Sequence, residues 1–103
     1  MANAVLVEIR QGIAIDKRHD SCRVDWGKRS ANLMISYTDR PGSRTTSTID
    51  HAEGSGDVLD VYTQNSRYRF RVADAHKLAD RLNQLRAEWS VMHALSGFMS
   101  AFA

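Results

Sequence analysis

Through roughly the first seventy residues, apolar side chains recur at every second position; from residue 73 they recur at every third and fourth, and the first pattern never returns. A period of two places alternate side chains on opposite faces of a strand, whereas a spacing of three and four places them on one face of a helix. Val5, Val7 and Ile9 alternate with Leu6, Glu8 and Arg10. Ile13 and Ile15 follow Gly12; Cys22, Val24 and Trp26 precede Gly27; Leu33, Ile35 and Tyr37 precede the turn TDRPG. RTTSTID is β-branched and polar and reads as an exposed or edge strand. Leu59 and Val61 alternate with Asp60 and Tyr62, and RYRFRV closes the series. After Ala73 come Ala75, Leu78, Leu82, Leu85, Trp89 and Met92, with Asp74 placed to cap and no Gly or Pro before Gly97.

Six or seven short strands within residues 4–72, then one helix over about 74–96 with an apolar tail to 103, make an α+β chain. The expected fold is an antiparallel meander forming a curved sheet or small barrel, covered by the C-terminal helix. This order of elements resembles that of pleckstrin-homology-like folds, without the basic phosphoinositide motif they often carry early. With 103 residues and no linker-like composition, a single domain is expected. MANAVLVEIR has no basic n-region and its apolar run is cut by Glu8, so it reads as neither a signal peptide nor a membrane span. A cytoplasmic location and no membrane contact are the expectation. Cys22 is the one cysteine, so no intrachain disulfide can form.

The hairpin Asp57–Val72 has a self-consistent register. Leu59 and Val61 share a face with Tyr68 and Phe70, while Asp57, Asp60 and Tyr62 lie near Arg67, Arg69 and Arg71 on the other. The arginines read first as the wet side of a strand paired with aspartates, and second as an anion or nucleic-acid face with Tyr62 for stacking. Eleven of the fourteen cations are arginine, but residues 45–66 hold four carboxylates and no Lys or Arg, which weighs against a phosphate groove.

Signals for chemistry are weak. His19 and Cys22 supply two of the four ligands a structural zinc needs. Asp50, His51, Glu53 and Asp57 gather in DHAEGSGD, read as a loop, without EF-hand spacing. An enzyme built around His51 or His19 is a third reading, and no metal or other cofactor is expected.

After Glu88 there is no charged residue in the last fifteen. Trp89, Met92 and Met99 continue the seam toward the sheet, while Val91, Leu95, Phe98 and Phe102 project at other angles. Apolar groups on several faces of a helix are covered from several sides. The helix is also longer than strands of five or six residues, so its end overhangs unless it bends near Ser96–Gly97. The expectation is a small non-catalytic protein-binding module, an adaptor or inhibitor, homodimeric through Val91, Leu95, Phe98, Met99 and Phe102. Nucleic-acid binding through Arg67, Arg69 and Arg71 is the alternative.

Overall fold

The computed structural model describes the backbone of residues 1–102 and the side chains of residues 1–94. Six strands, β1 (Ala2–Gln11), β2 (Ala14–Gly27), β3 (Asn32–Tyr37), β4 (Ser43–Ser55), β5 (Val58–Thr63) and β6 (Ser66–Arg71), precede one helix, α1 (Ala75–Phe102). Each strand pairs antiparallel with the next, and β6 pairs back onto β1 to close a barrel. The expected α+β architecture is therefore the observed one.

Alternation explains the barrel interior. Leu6, Val24, Leu33, Ile35, Ile49, Leu59, Val61 and Phe70 are fully buried and face one another. In β1 the register slips between Leu6 and Glu8 against both neighbours. That bulge lets Leu6 and Ile9 both join the core while Glu8 turns to the outer face, where other side chains cover it.

Two strands are much longer than the short ones expected. β2 has 14 residues and takes in His19 and Asp20, upstream of the alternating run Cys22–Trp26 from which the sequence announced it. Its first part pairs only with β1, because β3 ends at the Tyr37–Cys22 pair. Both faces there are largely wet, so no apolar period announces the strand, and its charged side chains blunt the free edge. β4 has 13 residues and absorbs most of the predicted acidic loop: Asp50, His51 and Glu53 are strand residues.

β4 also changes partners. Ser43–Thr48 pairs with β3 and Ile49–Ser55 with β5, so the later half would lose its partners on the β3 side. The Ile49 N–H still reaches the Ala31 carbonyl at 2.8 Å. Beyond it, α1 takes over. Asn83 accepts a hydrogen bond from the Ala52 N–H and donates one to the Ala52 carbonyl, each at 2.8 Å, and Arg86 Nε donates to the Ile49 carbonyl at 2.6 Å. A helix thus stands in for a strand at this edge.

The start of α1 is seated equally closely. A Cβ on Gly54 would lie 2.3 Å from the Ala75 carbonyl oxygen, so only glycine permits the approach. Asp74, at φ 53°, caps through its backbone carbonyl, which accepts from the N–H groups of Lys77 and Leu78. Ala75, Leu78, Ala79 and Leu82 are buried, and Leu85, Arg86 and Trp89 are half-buried. From Ser90 to Ala94 every residue is exposed. The helix has left the barrel. It continues through Gly97, where the sequence suggested a bend; one glycine costs a helix only about 1 kcal/mol.

Replacing Asn83 by Leu strands the Ala52 N–H and carbonyl at ~1–3 kcal/mol each, and is expected to cost about 2–4 kcal/mol in urea unfolding. Exposed Gln84→Ala, one residue along, is expected to stay within about 0.5 kcal/mol. Equal losses for the two variants would remove the clamp from this account.

Candidate interaction surfaces

The β5–β6 register is the expected one. Leu59 pairs with Phe70 and Val61 with Tyr68 on the inner face, and Asp60 pairs with Arg69 and Tyr62 with Arg67 on the outer. Barrel closure then adds a neighbour the hairpin alone could not reveal. Glu8 and Arg10 of β1 lie beside Arg69 and Arg67. A charged row, Lys17–Glu8–Arg69–Asp60–Glu53, crosses five strands, and a second row, Arg10–Arg67–Tyr62–His51, runs beside it.

The three arginines are not equivalent. Arg71 is 66% exposed and meets Asp57 at 3.4 Å. Arg69 makes two hydrogen bonds to Asp60, at 2.8 and 3.1 Å. Arg67 has a side chain only 15% exposed, paired with Glu8, whose own side chain is 7% exposed and is also held by Lys17. Arg67 is therefore no wet-face residue, contrary to the sequence reading. Its reach over the β1 bulge covers a carboxylate that looked solvated.

Beside it, the His51 ring stacks on Tyr62 with centroids 4.6 Å apart. Asp50 lies 2.8 Å from His51 Nδ1, and Glu53 lies 3.5 Å from Nε2. Burial, followed by the charges of Glu53 and Asp60, pushes the Tyr62 phenol up, so it stays neutral. Five cations (Arg10, Lys17, Arg67, Arg69, Arg71) thus share this face with five carboxylates (Glu8, Asp50, Glu53, Asp57, Asp60). A balanced face produces little of the positive field that gathers phosphates.

A second network ties the β3–β4 turn to β2. Asp20 receives Arg18 Nε at 2.5 Å and Arg40 Nη2 at 2.8 Å, and Arg40 lies over the Tyr37 ring. Burial pushes the Asp20 carboxyl up, but the hydrogen bonds and charges of the two guanidiniums outweigh it and hold it below the usual range.

His19 and Cys22 do not converge. His19 is exposed, whereas Cys22 lies in the core, its Sγ donating to the Ala4 carbonyl at 3.6 Å. Burial pushes that thiol up, away from the reactive thiolate. Among the described residues, no three His, Cys, Asp or Glu side chains are placed to hold a metal, and no helix is long and apolar enough to cross a membrane. An open cleft of about 580 Å³ lies where β1 and β6 part, lined in part by Cys22, Asp57 and Arg71. Its two charged groups pair with each other.

The distal part of α1 is different in kind. Val91 is 59% exposed and Met92 64%, although the sequence placed Met92 on the seam toward the sheet. The seam continues, but past Trp89 no barrel lies beneath it. A groove of about 460 Å³ separates Trp26 and Lys28 from Leu85, Trp89 and Met92. Round the helix, a shallow apolar hollow of about 510 Å³ is formed by Ala87, Glu88, Val91 and Met92. His93 packs on the Trp89 ring, with centroids 3.8 Å apart. The side chains of Leu95, Phe98, Met99 and Phe102, also assigned to a partner surface by the sequence, lie outside the described residues. Trp26, far away in sequence, gave no signal of its place beside the helix.

Comparison with protein-family models, curated proteins and solved structures returned no match to the chain.

The unequal arginines are separable by mutation. Arg67→Gln is expected to destabilise the fold by about 2–3 kcal/mol, because Glu8 stays buried with Lys17 alone. Arg71→Gln is expected to cost less than about 0.5 kcal/mol. Urea unfolding of the two variants checks the order; a costlier Arg71→Gln contradicts it.

Proposed function

We propose that this chain is a small non-catalytic protein-contact module that self-associates through the distal half of α1. One observation carries the reading. A regular helix runs off its own barrel after Trp89, exposing Val91 and Met92 on a segment whose sequence has no charge after Glu88. Exposed apolar patches of this kind mark contact surfaces on soluble domains, and two-fold pairing of identical chains is the commonest way to cover one. An adaptor or inhibitor would use the barrel as a rigid mount for the helix. The chemistry on the barrel supports the same reading, because the arginines are engaged by carboxylates of their own chain.

Since Val91 and Met92 lie off the barrel, changing them does not disturb its core. Val91→Asp/Met92→Asp is therefore expected to retain the circular dichroism and unfolding midpoint of the wild-type monomer. Light scattering behind gel filtration should give twice the 11.6 kDa chain mass for the wild type at micromolar concentration and the single mass for the variant. Each buried apolar side chain contributes about 1.5–3 kcal/mol, and a carboxylate in its place must be dehydrated unpaired. A monomeric wild type overturns the proposal. Steeply salt-dependent binding of single-stranded RNA or DNA, lost in an Arg67/Arg69/Arg71→Gln variant, would favour the nucleic-acid reading instead.

A further inference from the structure

We propose that the groove between Trp26 and α1 is a binding site for a small planar aromatic carboxylate. The site does not depend on the self-association proposed above, because its walls are the end of β2 and the barrel side of the helix, and Val91 is not among its lining residues. The chain has two tryptophans, and both line this groove, one from each wall. Trp26 packs against the barrel core. Trp89 is half-buried on α1, where the Arg86 guanidinium lies 5.0 Å over its ring and the His93 ring packs on it at 3.8 Å. Arg86 is itself fastened to the Ile49 carbonyl. Both indoles are thus held in place before any ligand arrives, so binding has little order to impose. Leu85 and Met92 add to the apolar lining, and a thioether beside a ring is a favourable contact. The space, about 460 Å³, is of the size that takes a small molecule.

Polar groups choose the ligand's chemistry. The Trp89 Nε1–H is buried and has no acceptor among the described residues. Buried donors in folded proteins are almost always paired, and an oxygen bound in the groove supplies the missing partner. Charge is divided between the walls: Lys28 stands exposed on the barrel side and Glu88 exposed on the helix side. An anionic end is drawn to the Lys28 rim and turned away from Glu88. A carboxylate meets both requirements, being an acceptor and a negative charge at once. Between two indoles the matching body is a flat ring, which meets them in edge-to-face or offset contacts.

Nuclear magnetic resonance with cinnamate as the probe tests the site, because the indole N–H signals of Trp26 and Trp89 report on its two walls. Titration is expected to shift both signals with one saturable midpoint. Lys28→Gln is expected to weaken cinnamate roughly two- to five-fold while leaving the neutral analogue cinnamamide unchanged, and Glu88→Gln to move cinnamate affinity the other way. Val91→Asp alters the outer hollow and not the groove, so it is expected to keep the wild-type midpoint. A protein that fails to self-associate yet binds the probe in this way leaves the site standing. Shifts of one indole only, a response without a midpoint, equal losses for cinnamate and cinnamamide in Lys28→Gln, or a response lost in Val91→Asp would each overturn the proposal.

Discussion

Asn83 holding both polar groups of Ala52 is the contact on which the rest of the molecule depends. A barrel strand that changes partners midway exposes two or three backbone groups per half, and each costs free energy if buried without a partner. β4 does this at Ile49, and the helix supplies side chains where β3 has run out. Asn83 suits the task because its amide presents a donor and an acceptor in the same spacing as a peptide group. Gly54 makes the arrangement possible by letting the Ala75 backbone lie against the strand. Position and direction of the helix are thereby set near its start.

The exposed surface follows from that seating. With its first four turns fixed on β4 and β5, a 28-residue helix measures roughly 42 Å, more than the barrel can cover. The remainder projects beyond Trp89 and Trp26. A straight, charged overhang would be a solvated handle. Here the overhang is apolar, and Val91 and Met92 emerge onto it before the tail begins. The barrel outer face around β6 takes the opposite solution, with Arg67, Arg69 and Arg71 each paired with a carboxylate of the same chain. One surface of the protein is balanced internally and the other is left to be covered.

Much of this was legible in the sequence where one face of an element is dry and the other wet. β1, β3, β5 and β6 showed themselves by alternation, and the inward set of Leu59, Val61, Tyr68 and Phe70 followed from the same pattern. Legibility failed where that contrast is missing. The first half of β2 is wet on both sides, and β4 carries a Gly/Ser/acidic segment whose strand state is imposed by β5 and the helix. Arg67 and Met92 were misplaced for related reasons. Arg67 is covered through closure between β1 and β6, and Met92 is exposed because the barrel stops short of it; both are long-range facts that local periodicity does not contain. The anchors of the helix, Asn83 and Gly54, had no signal beyond being polar and small.

Amide hydrogen exchange along α1, followed as protein concentration is raised, distinguishes a distal helix covered by a second chain from one that lies on its own barrel. Amides from Leu78 to Trp89 are expected to be protected at every concentration, because the barrel holds that part of the helix. Amides beyond Ser90 should exchange quickly in dilute protein and become protected as concentration rises, with the same midpoint as the doubling of mass. Protection beyond Ser90 that is independent of concentration would place the distal helix on its own barrel and contradict the account.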